Sequence, residues 1–276
     1  MPELPEVELV AQSLDKLARG RRIVAAKLIR ERLAPESSPA LFAERLSGAA
    51  IRFVHRRGKH ILFDLDNKRT LITHLRMSGR FMMLPAERDN PKFTHAVFYF
   101  DDETRLLFQD QRHFGLMKIV ETSRLGEAKE IQKLAPEPFS DAFSLKYLRD
   151  TLKTSKRTVK EFLLDQTKVC GLGNIYASES MFLANIDPKK IANKLSKKKA
   201  EALYDKIREI LSEAVSQGST LNVDPENIDG SYYIDGFETR WRVYDREDLP
   251  CTHCKTPIIR LKQGGRSTYF CRKCQR

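Results

Sequence analysis

The spacing of apolar residues divides the chain into a first helix, a long region of strands and a second helical region. Apolar side chains recur at helical spacing through residues 4–19, and Gly20 follows as a stop signal. These side chains are Val7, Val10, Leu14 and Leu17. From about residue 21 to 121 the period changes to two, with turn residues between short runs. Many short strands with such turns predict a mostly antiparallel sandwich or barrel.

Helical periodicity returns after the proline-containing segment 135–138. We predict helices that begin after the capping residue Ser144, at residue 159, at residue 174 or 175, and after Ser196. The last of these helices ends at Gly218, and residues 219–240 carry no clear period. The expected organisation is a domain at 1–134, a linker at 135–140, a helical domain at 141–240 and a C-terminal module at 241–276.

Composition indicates a globular protein with a polyanionic partner. The 276 residues are 41% hydrophobic and 31% charged, which is enough apolar surface for a buried core. The net charge of +12 favours nucleic acid as the partner, although many basic proteins bind none specifically. No apolar run reaches the roughly 18 residues that a membrane span requires, and no signal peptide is evident. We therefore expect an intracellular, cytoplasmic protein without a membrane partner.

Four of the five cysteines form two close pairs near the C-terminus. Cys251-x2-Cys254 and Cys271-x2-Cys274 have the spacing of two zinc knuckles, and four thiolates leave no coordination position for water. The sequence therefore predicts one structural Zn²⁺. Residues 251–276 carry seven Lys or Arg and no acid, which suits phosphate, although zinc ribbons also bind proteins. His253 is expected at the surface, and Cys170 is expected to be a small buried residue.

Three further segments have two possible interpretations each. The glycine-rich turn 170–174 leads into a helix, so it forms either a phosphate site or a tight helix corner. The loops 74–79 and 110–115 place Met77 and Phe114 beside arginines, so these residues are either core or wedges for a base stack. Lys59 follows the turn Arg57-Gly58, where a solvated lysine is the default.

The N-terminus Met1-Pro2-Glu3 offers a reactive amine. We expect removal of Met1, which would leave a prolyl amine with a pKa near 8 that can form an imine with a sugar aldehyde. The competing interpretation is ordinary helix initiation, because Pro and Glu both suit a first helical turn.

Taken together, these motifs resemble the formamidopyrimidine-DNA glycosylase family. The N-terminal segment 1–8, the segment 171–179 (Gly-x-Gly-Asn-Ile-Tyr-Ala-Ser-Glu) and the four-cysteine finger with Arg266 carry the resemblance, which spans essentially the whole chain. The related endonuclease VIII branch usually has Gly at the position of Leu4. The match therefore favours the formamidopyrimidine branch.

The resemblance implies an α+β multidomain fold: an N-terminal β-sandwich flanked by helices, a helix–two-turn–helix domain and a C-terminal zinc hairpin with four cysteine ligands. It implies a monomeric enzyme that excises oxidised purines from double-stranded DNA and cleaves the strand at the abasic site. The implied catalytic residues are Pro2, Glu3, Lys59 and Arg266. The implied DNA-binding residues are His74, Met77, His95, Arg112, Phe114, Lys156, Lys160 and Asn174.

Two departures from the family pattern concern specificity and affinity. Residues 219–240, with Tyr232-Tyr233, match the lesion-covering loop weakly, and Lys168 stands where an apolar residue is expected. Two alternatives stay open: an endonuclease VIII-like enzyme for oxidised pyrimidines, and a zinc-ribbon protein that binds damaged DNA without catalysis. The Pro2-Glu3 terminus discriminates against the second, because a pure binding protein does not need it.

Overall fold

The structure, a computed structural model, describes residues 1–217 and 241–276. The predicted helix end at Gly218 and the segment 219–240 lie outside the described residues. Within them, residues 1–132 form one compact unit, and residues 133–217 with 241–276 form a second. No helix in these described ranges combines the length and apolar character needed to cross a membrane.

The first unit contains eight strands and three α-helices in its described residues. The helices are α1 (Leu4–Ala18), α2 (Pro39–Leu46) and α3 (Lys129–Gln132). The strands are β1 (Ile23–Leu28), β2 (Ile51–Arg57), β3 (His60–Leu65), β4 (Arg69–His74), β5 (Gly79–Pro85), β6 (Thr94–Phe100), β7 (Thr104–Asp110) and β8 (Leu116–Glu121). One antiparallel sheet has the order β1-β6-β7-β5, and the other has the order β2-β3-β4-β8.

The inner faces of the two sheets form one hydrophobic core. The ring of Phe81 on β5 lies 5.4 Å from that of Phe63 on β3 and 5.2 Å from that of Phe108 on β7. Inward-facing residues of both sheets belong to the same buried cluster. The predicted antiparallel sandwich is therefore confirmed.

Helix α1 packs on the second sheet as its amphipathic pattern predicts. Its apolar residues Val7, Val10 and Leu14 are buried. Asp15 accepts a hydrogen bond from the backbone N–H of Val54 on β2 at 2.7 Å. Gly20 follows the helix with a φ of +82°, a conformation that favours glycine.

The two-residue period does not predict α2, which interrupts the region of strands. A local signal is nevertheless present, because Ser38 caps the helix and Pro39 occupies its first position. The Ser38 hydroxyl accepts a hydrogen bond from the N–H of Leu41 at 3.2 Å.

The second unit contains four helices and a hairpin in its described residues. They are α4 (Leu145–Lys153), α5 (Val159–Leu164), α6 (Asn174–Leu183), α7 (Lys197–Ser216), β9 (Ile259–Gln263) and β10 (Arg266–Phe270). Ser144, Thr158 and Ser196 cap their helices through side-chain oxygens. The predicted starts of α4, α5, α6 and α7 are confirmed.

The C-terminal hairpin of β9 and β10 packs against the helices of the second unit. Gly264 and Gly265 form its two-residue turn, and both have positive φ, at +55° and +77°. Gln263 donates a hydrogen bond to the hydroxyl of Thr158 at 2.7 Å, just ahead of α5. Asn174 at the start of α6 donates one to the carbonyl of Ser267 at 2.9 Å.

Replacement of Phe81 by alanine tests the sandwich core. Because this ring is fully buried between the sheets, Phe81→Ala should lower the free energy of unfolding by about 3–5 kcal/mol. Phe53→Ala is the matched control, because that ring is 41% exposed and its loss should cost less than about 1 kcal/mol. Chemical denaturation measures both values. Equal losses would contradict this position of the core.

Candidate nucleic-acid interface and metal centre

The first turn of α1 is fixed by two buried carboxylates. Glu3 and Glu6 form a capping box, in which each side chain faces the backbone N–H of the other. The Glu6 carboxylate accepts the N–H of Glu3 at 2.8 Å. Both glutamates and the preceding Pro2 are buried. The backbone that carries Pro2 is therefore held by specific contacts.

Lys59 lies at the turn between β2 and β3, where Gly58 has a φ of +60°. Its side chain is buried, so the default of a solvated lysine does not apply. Arg56 connects this turn to α1, because its guanidinium donates to Glu8 at 2.8 Å and to the carbonyl of Gly58 at 3.1 Å. The structure thus places the Lys59 turn against the N-terminal helix.

His60 and His74 form a buried pair beside this turn. Their rings meet edge to face at 4.7 Å. Burial lowers the pKa of His60 to about 4, with Arg76 adding repulsion. Burial, His60, Arg76 and Lys59 together lower the pKa of His74 to about 2. Both imidazoles are therefore neutral at pH 7.

His74, a predicted DNA-binding residue, contacts the backbone of its own loop. Its imidazole is buried, and Nδ1 accepts the backbone N–H of Arg76 at 2.9 Å. The side chain supports the turn that leads to Met77. His95 is likewise buried, and this burial lowers its pKa. Its Nε2 lies 2.9 Å from the carbonyl of Asp110.

Met77, Arg112 and Phe114 are presented on two neighbouring loops. Met77 is 45% exposed and Phe114 is 55% exposed, so neither is a core residue. The guanidinium of Arg112 lies 5.4 Å from the centroid of the Phe114 ring. Two exposed apolar side chains beside a cation fit the wedge interpretation.

Asn174 and Lys160 meet at the start of α6. The ammonium of Lys160 donates to the hydroxyl of Ser178 at 2.7 Å and to the carbonyl of Asn174 at 3.2 Å. Lys160 is fully buried and supports the helix that carries Asn174, and its role in DNA binding stays a prediction. Lys156 is exposed, as is Arg266 at the start of β10.

The four cysteine sulfurs of the second unit lie within 4.8 Å of one another. The Sγ atoms of Cys251 and Cys274 are 3.9 Å apart, and those of Cys254 and Cys271 are 3.4 Å apart. A tetrahedral zinc with Zn–S bonds of about 2.3 Å requires sulfurs at about this spacing. The residues therefore fit one structural Zn²⁺. His253 is exposed and Cys170 is buried, as expected.

Sequence reasoning assigns no role to two buried carboxylates, Asp110 and Glu179. Glu179 accepts backbone N–H groups of Arg242, Val243 and Tyr244 at 2.9–3.1 Å, and burial raises its pKa. It thus ties α6 to the chain ahead of the zinc hairpin. The sequence around Asp110 could have indicated a structural role, because an Asp at the end of a strand often accepts hydrogen bonds from backbone N–H groups of the loop that follows.

Three family models match this chain along its length. A formamidopyrimidine-DNA glycosylase N-terminal domain matches residues 1–117, and a formamidopyrimidine-DNA glycosylase H2TH domain matches residues 134–224. A zinc finger found in FPG and IleRS matches residues 248–276. The formamidopyrimidine-DNA glycosylase of Listeria monocytogenes is 38% identical over 276 residues, with 100% of both chains covered. The chain belongs to the formamidopyrimidine-DNA glycosylase family.

Solved structures of a family member agree with this assignment. Lactococcus lactis Fpg in complex with DNA containing an abasic site matches with a TM-score of 0.91 and 32% identity, covering 99% of each chain. The same enzyme with DNA containing Fapy-dG matches with a TM-score of 0.90 and 33% identity, again covering 99% of each chain. The predicted family, α+β fold class and structural zinc site are therefore confirmed.

The buried histidine pair should make stability depend on pH. The folded pKa values of His60 and His74 lie below the ordinary 6.5, so their contribution is fully present above pH 6.5 and is lost as pH falls. Between pH 6.5 and 4, each should remove about 1.4 kcal/mol of unfolding free energy per pH unit. In His60→Gln, the unfolding free energy should depend less steeply on pH, by about 1.4 kcal/mol per pH unit, because one of the two histidines is absent. Chemical denaturation across this range measures it.

The control for that experiment is the range above pH 6.5. From about one pH unit above 6.5, the curves of His60→Gln and the parent protein should run parallel, because His60 then binds almost no proton in either the folded or the unfolded state. Identical slopes below pH 6.5 would show that His60 is not buried in its neutral form.

Replacement of a cysteine ligand tests the metal centre. Cys271→Ser should lose the bound zinc and loosen residues 241–276, because binding energy at such sites is folding energy. Atomic absorption and amide exchange measure the two effects, and the first unit should keep its exchange protection. Cys170→Ser is the matched control, because this buried cysteine lies outside the cluster. A full zinc content in Cys271→Ser would exclude this ligand set.

Proposed function

We propose that this protein is a bifunctional DNA glycosylase and abasic-site lyase of base excision repair. It excises oxidised purines, including 8-oxoguanine and formamidopyrimidines, from double-stranded DNA. The observation that carries the proposal is the buried Pro2-Glu3 start of α1, held by the capping box and tied through Arg56 to the turn of Lys59. A relative of known structure that binds abasic-site and Fapy-dG DNA supports the substrate class.

Access to the sugar requires that the damaged nucleotide leave the helix. The C1′ atom cannot be reached inside a duplex, so the base must be everted. Met77 and Phe114 fill the gap that the everted base leaves, and Arg112 contacts the base left without its partner. Their exposure in the free protein makes these side chains available for this role.

The chemistry begins at the amine of Pro2. After Met1 is removed, this nitrogen attacks C1′, the bond from C1′ to the base breaks, and the base leaves with a proton. Glu3 acts as acid and base around the sugar, which opens to give an iminium ion. The iminium makes the C2′ proton acidic, with Lys59 close to the reacting centre. Loss of that proton expels the 3′ phosphate, a second elimination expels the 5′ phosphate, and hydrolysis releases the enzyme.

The second unit supplies phosphate binding in this proposal. Lys156 and Asn174 bind the DNA backbone, with Lys160 holding α6 beneath Asn174. The zinc hairpin presents the exposed Arg266, whose planar guanidinium pairs with two phosphate oxygens. Residues 1–134 thus perform the chemistry, and residues 141–240 and 241–276 hold the DNA. We also propose that the enzyme acts as a monomer in the cytoplasm, on nucleoid DNA.

Borohydride trapping on lesion-containing duplex tests the N-terminal nucleophile. The processed enzyme should form a covalent adduct that maps to Pro2, with the mature terminus confirmed by mass. A Gly-Ser extension ahead of Pro2 turns its nitrogen into an amide and should abolish the adduct, while Lys59→Ala should retain it. Glu3→Gln should lower excision by about 10²–10⁴-fold, as expected for loss of a general acid–base group.

A lesion panel separates the proposal from its alternatives. Preference for 8-oxoguanine and formamidopyrimidines supports it, and preference for oxidised pyrimidines would favour an endonuclease VIII-like enzyme. Tight binding to damaged DNA with no adduct on any substrate would identify a non-catalytic binding protein.

A further inference from the structure

Asp110 is a buried carboxylate between the two loops that carry the wedge residues. It is the last residue of β7 and is only 1% exposed. Its Oδ1 accepts hydrogen bonds from the hydroxyl of Ser78 and, at 3.1 Å, from the backbone N–H of Arg112. Its Oδ2 accepts the N–H of Gly115 at 2.7 Å. One side chain therefore binds the residue after Met77 and both sides of the Arg112–Phe114 segment.

The backbone of Asp110 extends the same network. Its N–H donates to the carbonyl of Phe93 at 3.0 Å. Its carbonyl lies 2.9 Å from Nε2 of His95 and accepts the N–H of His113 at 3.3 Å. Because a carbonyl only accepts, Nε2 of His95 carries the hydrogen at this contact. Asp110 is thus anchored to the start of β6 while its carboxylate holds the loops.

Both loops adopt conformations that need such support. Arg76 and His113 have φ values of +56° and +60°, which are unfavourable for residues with a Cβ atom. A Cβ atom on Gly79 would lie 2.4 Å from the carbonyl oxygen of Leu75, and one on Gly115 would lie 2.7 Å from the ring of Phe108. Strained conformations persist where surrounding contacts determine them, and Asp110 contacts both loops.

The wedge side chains depend on these loops for their position. Met77 and Phe114 are about half exposed, so packing around their own atoms restrains them only in part. Resting on the proposed function, we propose that Asp110 is a positioning residue that fixes the Met77 loop and the Arg112–Phe114 loop relative to one another. It thereby sets the efficiency with which the enzyme everts a damaged base.

The chemistry of the site predicts an order among substitutions. Asp110→Ala removes the carboxylate that accepts hydrogen bonds from the Ser78 hydroxyl and from the backbone N–H groups of Arg112 and Gly115. The buried N–H of Gly115 loses this acceptor, whereas the N–H of Arg112 keeps the Ser78 hydroxyl at 3.0 Å. Asp110→Asn keeps one oxygen for Gly115 and turns its amide towards Ser78, whose hydroxyl can rotate to accept. Duplex excision should therefore decrease from the parent enzyme to Asp110→Asn and further to Asp110→Ala.

Two substrates separate positioning from catalysis. On a duplex with 8-oxoguanine, Asp110→Ala should lower kcat/KM for excision by at least about tenfold, because eversion needs the wedge. On single-stranded DNA with a preformed abasic site, cleavage should stay within about threefold of the parent, because no base stack must be opened. A 2-aminopurine beside the lesion should show a smaller fluorescence increase on binding, which reports less unstacking.

A double-mutant cycle tests whether Asp110 acts through the wedge. In a Met77→Ala/Phe114→Ala background, the further change Asp110→Ala should lower duplex excision by less than about twofold, since coupled residues are not additive. Asp64→Asn is the matched control, because Asp64 is a half-buried carboxylate on β3 that accepts the hydroxyl of Thr70 at 2.6 Å. It should leave duplex excision and the fluorescence change unaltered.

The outcomes distinguish this inference from the proposed function. If the parent enzyme forms no adduct with abasic DNA, the proposed function fails. If the parent is active and Asp110→Ala loses activity equally on both substrates, or additively in the wedge-free background, the positioning role is overturned. Should Asp110→Ala not fold, Asp110→Asn and Ser78→Ala are measured instead, and a fluorescence change equal to the parent's in both would also overturn it.

Discussion

The first unit depends on the burial of charged groups at the start of α1. Glu3 and Glu6 lose hydration there, and they are compensated by N–H groups and by the positive end of the helix. The helix itself is tied to β2 by Asp15 and by the contact of Glu8 with Arg56. The proposed use of the Pro2 nitrogen requires such an arrangement, because the first residues of a domain are otherwise poorly ordered.

In the second unit, a buried charged group likewise holds the start of a helix, here α6. Lys160 is fully buried, and its ammonium contacts Asn174 and Ser178, so the charge stabilises one position of the helix start. Glu179, one turn later, holds the backbone at 242–244. Buried polar groups of this kind are unfavourable unless all partners are in place, which makes them specific for one geometry. In each unit, residues proposed to contact DNA lie on backbone that such groups hold.

The sequence predicts the elements of this fold well and the surroundings of its side chains less well. Periodicity and caps identify α1 and α4 to α7, because these signals are local. They do not reveal that Lys160 and His74 are buried, since a lysine or histidine has the same local pattern on a surface as in a core. Met77 and Phe114 are the opposite case. Apolar residues at strand ends are typical of a core, but these two side chains are exposed. Their exposure is set by tertiary structure, which leaves both side chains outside the core.

That exposure has an energetic consequence for the proposed reaction. Burial of apolar surface contributes about 25 cal/mol per Å², and Met77 and Phe114 leave about half of theirs available until DNA is bound. Insertion into a base stack would bury it, which offsets part of the few kcal/mol needed to unstack a base step. The gain is largest when the side chains are already positioned, because ordering a loop on binding opposes it. The contact of the Arg112 guanidinium with the Phe114 ring and the hydrogen bonds of the Asp110 carboxylate belong to this preorganisation. In the proposed reaction, the stability of the free enzyme and the efficiency of base eversion therefore depend on the same contacts.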